Sequence, residues 1–269
     1  MGMIIKNNKI YYIYINMNVL ELFSGTHSVG KVCEQLGWNA VSVDLELPAT
    51  HECDIMNFDY KQYPKDHFSI IWASPPCTYY SNLQNCWLGR KKKDGTTLTK
   101  EILENHRKES DKLILKTFEI INYFNPDLWC LENPQKGTLK DRDIMKNIPY
   151  YDVSYCMYCD WGYEKRTRIW TNKKEWNNKL CDRSGSCGNM INSQHKEVLG
   201  NGYEIIDGKK TICNTKELRT KKRLQHKLNV ANDVHSIGEK KGKKDFNNGT
   251  NKLDRYRIPE NLIFSLFLD

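Results

Sequence analysis

A cysteine directly after two prolines is the residue of this chain best placed to do chemistry. The apolar run 70–73 predicts a buried strand, and Pro75 and Pro76 cannot continue a strand's hydrogen-bond ladder, so the chain must leave the sheet there. Cys77 is therefore expected just past the carboxyl end of a strand, where open α/β sheets bind ligands. A buried structural thiol is the alternative interpretation, because free cysteines are among the most buried residues.

A carboxylate and an amide repeat this arrangement further along the chain. Glu132 and Asn133 end a second apolar run, 127–131, and Pro134 follows them. If the two runs are neighbouring strands of one parallel sheet, Glu132 and Cys77 lie on the same rim of that sheet.

A glycine turn opens the chain's first strand–turn–helix unit. Gly25 and Gly30 follow the apolar run 18–23, and residues 31–36 have helical spacing. A P-loop is excluded because position 32 is a valine without the hydroxyl that binds magnesium, and a dinucleotide fingerprint is excluded because position 27 is histidine. The turn suits a small ligand without a pyrophosphate, and S-adenosylmethionine fits this better than ATP or NAD.

Two acids follow the turn at strand ends. Asp44 closes the predicted strand 39–44, about twenty residues after the glycines, where an acid can accept hydrogen bonds from ribose hydroxyls. Asp54 lies in a short third element, 53–55, from which it could reach an adenine amino group. Acids that merely stabilise a turn are the alternative.

Soft metal ligands are concentrated after position 155. A structural zinc site there could replace a core too small to form, while unpaired thiols are the alternative. We expect its ligands to be Cys181, Cys187 and His195, with the fourth ligand open between Cys213 and the earlier pair Cys156 and Cys159.

The elements that must position these residues alternate between strand and helix. Further strands are predicted at 10–15, 151–158 and 167–171, and helices at 100–124 and near the C-terminus. This order predicts an α/β fold, a Rossmann-like sheet with helices on both faces. The polar loop 79–100 is long enough to be functional or disordered.

The charge of the chain is unevenly distributed, with the basic excess in its C-terminal third. The chain has 269 residues, of which 39% are hydrophobic. We expect neither a membrane-spanning stretch nor a signal peptide in it. Its ten cysteines are therefore expected to be thiols, and the protein is expected in the cytoplasm or nucleus. The net charge is +8, and residues 173–257 hold 20 lysines and arginines against 10 acids. A nucleic-acid partner or a solvated lysine-rich surface explains this excess.

Five motifs in order resemble the cytosine carbon-5 DNA methyltransferase family, in particular its compact phage and viral members. Residues 20–26 are similar to its cofactor motif, 74–78 to its Pro-Cys motif, 132–134 to its Glu-Asn motif and 164–168 to its arginine motif, with Asp44 and Asp54 at its ribose and adenine contacts. The chain departs from the family at four places. Pro134 replaces the valine of the Glu-Asn motif, and Glu164 replaces the usual glutamine of the arginine motif. The arginine motif also has one residue fewer after Gly162, and the last motif, near Pro259, lacks the family's Gly-Asn-Ala core. Which of the three cations at 165, 166 and 168 faces the base therefore stays open.

The resemblance implies a role for each matched residue. The catalytic group is Cys77, Glu132, Arg166 and Arg168; the cofactor group is Phe23, Ser24, Gly25, Thr26, Asp44, Asp54, Ile55 and Pro75; the substrate group is Ser74, Asn133, Lys165 and Thr167. It further implies that the Cys77 thiolate adds to carbon 6 of a flipped cytosine and that Glu132 holds ring nitrogen 3, with S-adenosylmethionine donating the methyl group.

Three functions remain to be compared. The first is a monomeric DNA cytosine-5 methyltransferase with a catalytic domain at 1–172, a small target-recognition region at 173–251 and a C-terminal segment, 252–269, that returns to the catalytic domain. The second is the same chemistry on tRNA or other RNA, since both substrates require a basic surface. The third is an inactive, zinc-containing nucleic-acid-binding protein, which the joint presence of Cys77, Glu132 and Arg168 disfavours.

Overall fold

The computed structural model describes residues 2–6, 9–13, 16–91, 95–191, 193–196, 203–206, 209–212 and 256–268. The helices are α1 (Ser28–Leu36), α2 (Lys100–Phe124) and α3 (Glu260–Leu268). The strands are β1 (Gly2–Lys6), β2 (Lys9–Ile13), β3 (Asn18–Leu22), β4 (Asn39–Asp44), β5 (His51–Glu52), β6 (Ile70–Ala73), β7 (Leu128–Pro134), β8 (Tyr150–Ser154), β9 (Arg166–Thr171), β10 (Met190–Ile191), β11 (Gln194–His195), β12 (Tyr203–Ile206) and β13 (Lys209–Ile212).

A seven-stranded sheet in the order β5-β4-β3-β6-β7-β9-β8 forms the centre of the molecule. Strands β5, β4, β3, β6 and β7 are mutually parallel, whereas β9 is antiparallel to both of its neighbours. The strand order reverses between β3 and β6, and ligands of open α/β sheets bind at such a switch point. The predicted α/β fold, an open sheet with helices on both faces, is confirmed.

Both faces of the sheet are buried, which is why its central strands are apolar without interruption. Val19, Ile70 and Trp72 pack in one core with α1 and α3, while the alternate residues Leu20 and Ile71 pack in a second core with α2. Side chains of a strand point alternately to opposite faces, so one continuous apolar run serves both cores.

Helix α2 occupies the predicted residues 100–124. The Thr99 hydroxyl accepts a hydrogen bond from the Ile102 N–H at 3.1 Å and caps its first turn. The helix ends at Asn125, which has a left-handed φ of 47° directly before Pro126. Side-chain capping and proline therefore fix both ends of this helix.

Three predicted elements differ from the observed ones. The strand at 10–15 is β2, and its hairpin partner β1 was not predicted. The element predicted at 53–55 lies between a short strand, β5 (His51–Glu52), and a 3-10 turn, Ile55–Asn57, because Asp54 accepts a hydrogen bond from the Met56 N–H and turns the chain. The strand at 151–158 ends at Ser154, after which the chain forms a 3-10 turn, Tyr155–Met157.

The C-terminal helix α3 packs against α1 in the first core. The Ile258 N–H donates to Ser28 Oγ at 3.0 Å, and Lys173 Nζ donates to the Leu266 carbonyl at 2.9 Å. The chain end is thus joined both to the glycine turn and to the segment that follows β9. In the part of the chain that the structure describes, none of the helices has the length and apolar character to cross a membrane.

Candidate active site

The turn after β3 has an unusual backbone. Phe23, Gly25 and His27 have φ values of 56°, 54° and 55°, in the left-handed region. Only glycine adopts this region without steric cost, and such strain in other residues is concentrated at functional sites. The strained turn lies at the switch point of the sheet, where a ligand would bind.

A buried carboxylate beneath this turn supports the start of α1. Glu21 accepts hydrogen bonds from the Val29 and Gly30 N–H groups at 3.1 and 3.0 Å. Burial raises the pKa of Glu21 to about 7, although both N–H groups favour its charged form. Glu21 is not among the site residues predicted from the sequence; the available signal is an acid inside an otherwise apolar strand immediately before the glycines.

Asp44 ties the end of β4 to the glycine turn. One carboxylate oxygen accepts from the Gly25 N–H at 2.9 Å, and the other accepts from the Glu46 and Leu47 N–H groups, both at 2.9 Å. Ser24 Oγ is buried beside it with no hydrogen-bond partner among the described residues. The turn therefore offers an unpaired hydroxyl and a partly exposed carboxylate to a ligand.

The other predicted cofactor residues lie around the same rim. Thr26 Oγ1 is 3.2 Å from Ser28 Oγ, and Asp54 caps the 3-10 turn after β5. Ile55 and Pro75 are buried. Of this group, Ile55 packs in the second core, with Leu20, Leu22 and Val43.

The Cys77 loop is attached to both neighbouring strands. The Ser74 N–H donates to the Leu22 carbonyl at 3.1 Å, and Asn133 Nδ2 donates to the Pro75 carbonyl at 2.9 Å. The Tyr80 N–H closes a turn on the Cys77 carbonyl at 3.1 Å. Cys77 is half-buried between the ends of β3 and β7, in the position that the proline pair predicted.

Glu132 is buried at the end of β7 in a polar network on the α1/α3 face. Its Oε1 accepts from Thr167 Oγ1 at 2.6 Å and from the Tyr155 hydroxyl at 3.1 Å, and Lys165 Nζ lies 3.6 Å away. Lys165 also stacks over the Tyr155 ring, with Nζ 4.6 Å from its centroid. Tyr155 was not predicted as a site residue, because nothing in its sequence context distinguishes it from a core tyrosine.

These charges act on the cysteine. Burial raises the pKa of the Cys77 thiol above its usual range, the Glu132 carboxylate raises it further, and the Lys165 ammonium lowers it. The thiol, the carboxylate and the lysine thus form one electrostatically connected group at the adjoining ends of β6, β7 and β9.

The two predicted arginines are engaged away from Glu132. Arg168 lies on the α2 face of β9, where it forms two hydrogen bonds to Asp152 at 2.7 and 2.8 Å and stacks on the Tyr150 ring at 3.5 Å. Arg166 donates to Glu164 at 2.7 Å. Alternate residues of a strand point to opposite faces, so Thr167, not Arg166 or Arg168, reaches the carboxylate of Glu132.

Comparison with known proteins decides the family. No family model matches the chain. The chain is 40% identical over 176 residues to a probable DNA (cytosine-5)-methyltransferase of Frog virus 3 (isolate Goorha), an alignment that covers 65% of this chain and 79% of the relative. The chain belongs to the cytosine-5 DNA methyltransferase family. Among solved structures, a methyltransferase of Entamoeba histolytica aligns with a TM-score of 0.42 and 14% identity over 70% of this chain; the chain spans 59% of that structure's length.

The basic segment of this methyltransferase brings together three of the four predicted metal ligands. Cys181, Cys187 and His195 meet Cys156 from the turn after β8, and the ligand atoms of the four lie within 4.8 Å of one another. Cys159 is outside this cluster, and Cys213 lies outside the described residues.

The loop after Cys77 carries exposed apolar side chains on a short 3-10 helix, Asn82–Trp87. Leu83 is 71% exposed and Trp87 is 55% exposed. Lys91 and Thr97 pair across the end of the loop. In this methyltransferase, the loop that directly follows Cys77 therefore exposes both apolar side chains and the basic side chains of Arg90 and Lys91.

Proposed function

We propose that this protein transfers the methyl group of S-adenosylmethionine to carbon 5 of cytosine in DNA through a covalent adduct with Cys77. The observation that carries the proposal is the group formed by Cys77, Glu132, Lys165 and Thr167 beside the strained glycine turn. The description of the Frog virus 3 relative supports cytosine in DNA as the substrate.

The glycine turn fits the cofactor that methyltransferases use. Ser24 Oγ has no hydrogen-bond partner in the described part of the chain, and Asp44 and Asp54 present partly exposed carboxylates that could hold ribose and adenine groups. We assign these three side chains to the cofactor, together with the backbone of Gly25. When bound there, S-adenosylmethionine supplies an electrophilic methyl group on its sulfonium.

The protein's own residues would activate the cytosine ring. The Cys77 thiol would first lose its proton to solvent water, and the Lys165 charge favours the resulting thiolate. The thiolate then forms a bond to carbon 6, and the electron pair of the ring double bond makes carbon 5 nucleophilic. Glu132, fixed by Thr167 and Tyr155, would accept from the exocyclic amine and share a proton with ring nitrogen 3, which neutralises the negative charge that develops on the ring.

Release of the product requires cleavage of the bond between the Cys77 sulfur and carbon 6. Once carbon 5 has taken the methyl group, with the cofactor's thioether as the leaving group, a base would remove the proton from carbon 5, the double bond would re-form and Cys77 would leave as a thiolate. Because a cytosine inside a duplex cannot reach the thiol, the base must be flipped out, and we assign the loop 79–100 to covering it. We assign residues 173–251 to target recognition because their positive charge suits the phosphate backbone.

The decisive experiment compares methyl transfer from labelled S-adenosylmethionine to DNA and to tRNA in parallel. We expect label in DNA at cytosine carbon 5, no label with Cys77→Ser, and retained activity with the control Cys159→Ser. Cys159 lies outside both the Cys77 group and the cysteine and histidine cluster, and a serine hydroxyl can still donate to the Tyr155 carbonyl. Label only in tRNA would move the same chemistry to RNA. No label in either substrate, or undiminished label with Cys77→Ser, would refute the proposal.

A metal ion is the second cofactor that we assign to this chain. The cysteine and histidine cluster is distinct from the Cys77 group, so a metal bound there would support structure and take no part in methyl transfer.

A further inference from the structure

Four soft ligands converge from separate parts of the chain. Cys156 lies in the 3-10 turn after β8, Cys181 and Cys187 lie in the segment after β9, and His195 lies in β11. Cys181 Sγ and Cys187 Sγ are each 3.7 Å from His195 Nε2. Three thiols and one imidazole around one point are the ligand set of a structural zinc site.

The spacing suits a tetrahedral ion. Zinc binds thiolate sulfur at about 2.3 Å and imidazole nitrogen at about 2.0–2.1 Å, so two such ligands on a tetrahedron stand about 3.5–3.6 Å apart. The two sulfur–nitrogen distances of 3.7 Å are close to this value. We propose that these four side chains bind one structural Zn²⁺, with Cys156 as the fourth ligand that the sequence left open.

The loops that carry the ligands are held by one buried amide. Asn189 Nδ2 donates to the carbonyls of Cys156, Cys159 and Cys187 at 2.8, 2.7 and 3.0 Å, and its Oδ1 accepts from the Gly162 N–H at 3.0 Å. Arg166 Nη2 donates to the Cys181 carbonyl at 2.9 Å. These bonds orient the ligand-bearing backbone, which is the usual function of groups around a metal centre.

The site also connects the basic segment to the Glu132 network. Cys156 directly follows Tyr155, whose hydroxyl donates to Glu132 and whose N–H donates to the Lys165 carbonyl at 3.0 Å. A metal at Cys156 would therefore fix the turn that positions Tyr155. This positioning role rests on the proposed methyl transfer, whereas metal binding itself does not.

Metal content tests the site without any variant. The full-length, untagged chain is purified under reducing conditions from zinc-supplemented cells and analysed by elemental mass spectrometry. We expect about one zinc per chain, released stoichiometrically when a mercurial reagent titrates the thiols in the presence of a coloured zinc indicator. Less than about half an equivalent, or a disulfide within the cluster under these conditions, would overturn the proposal.

Two matched serine variants test the fourth ligand. Cys156→Ser should lose most of the zinc, whereas Cys159→Ser, three residues along and outside the cluster, should retain it. Retention of zinc by Cys156→Ser would refute Cys156 as a ligand. If that variant does not fold, Co²⁺-loaded wild-type protein decides: tetrahedral bands with charge transfer from three thiolates support the site, and an octahedral or thiolate-free spectrum overturns it.

Asn189→Ala should weaken zinc binding by about 10–100-fold, which competition with a chelator measures. The outcomes separate the two proposals. Zinc in a chain that methylates neither DNA nor tRNA would refute the proposed function alone, and an active chain without zinc would refute the metal site alone.

Discussion

Replacing Glu132 with glutamine should make Cys77 more reactive toward a small alkylating reagent while it abolishes methyl transfer. The Glu132 carboxylate raises the pKa of the Cys77 thiol, and Lys165 lowers it. Glutamine keeps an oxygen that can accept from Thr167 and Tyr155 but removes the negative charge. The positive charge of Lys165 is then no longer balanced by a carboxylate 3.6 Å from it. Loss of the negative charge and the unbalanced positive charge both lower the pKa of the Cys77 thiol.

The size of the effect follows from the same contacts. A charge within about 4–6 Å changes the pKa of a neighbouring group by about 1–3 units. Lys165 already offsets part of the Glu132 field, so we expect the lower end, a fall of about 1 unit for Cys77. That gives about tenfold more thiolate at a pH below both pKa values. The less basic thiolate is intrinsically about threefold less nucleophilic, so alkylation should become about threefold faster.

The assay is the rate of carbamidomethylation of Cys77 by iodoacetamide between pH 6 and pH 10, followed by peptide mass spectrometry. The midpoint of each rate profile gives the pKa of the thiol. Glu119→Gln is the control, because Glu119 pairs with Lys116 on the surface of α2 and is not among the groups that shift Cys77. An unchanged or higher Cys77 pKa in folded Glu132→Gln protein would refute the electrostatic connection between the two groups.

Three further predictions concern the network and the turn. Thr167→Val removes the 2.6 Å hydrogen bond to Glu132, worth about 1.5–3 kcal/mol, and should lower kcat/KM about 10–100-fold in methylation assays without changing cofactor affinity by calorimetry. Asp44→Ala leaves three backbone N–H groups without their acceptor, so denaturant unfolding should show a loss of about 1–3 kcal/mol together with weaker cofactor binding. The pKa of Glu21 is raised from 4.5 to about 7 in the folded protein. Between these two pH values the folded state holds a proton that the unfolded state releases, so the free energy of unfolding should fall as the pH rises from about 4.5 to about 7. Glu21→Gln should remove about 3 kcal/mol of that fall in urea unfolding from pH 4 to pH 8, and an identical pH dependence in both proteins would contradict the prediction.

Local chemistry made much of the fold predictable. Helix α2 has a threonine cap, a proline stop and regular apolar spacing, and its observed bounds are the predicted ones. The strands before Cys77 and Glu132 are short apolar runs that end in prolines, and both were located from the sequence. The hairpin β1–β2 was only half predicted, since the residues of its first strand, Gly2–Lys6, show no alternation of apolar and polar side chains.

Local sequence signals did not predict to which face of the sheet each side chain points. The chain has one residue fewer after Gly162 than the family's arginine motif, so the sequence leaves the register of β9 open. A shift of the register by one residue would move every side chain of the strand to the opposite face of the sheet. Only the pairing of β9 with β7 directs Thr167 toward Glu132 and Arg168 toward Asp152. The same limit applies to Glu21, whose function appears only when α1 is packed above β3.

The order of the chemical groups follows from the sequence: a glycine turn, the acids Asp44 and Asp54, a cysteine and a carboxylate, all but Asp54 at the end of an apolar run that must become a strand. Their local signals are strong because proline, glycine and hydrophobic periodicity act over a few residues. The tertiary structure alone decided which cation lies beside Glu132 and that Cys156 joins Cys181, Cys187 and His195. These choices depend on strand register and on contacts between distant segments, which local sequence does not encode.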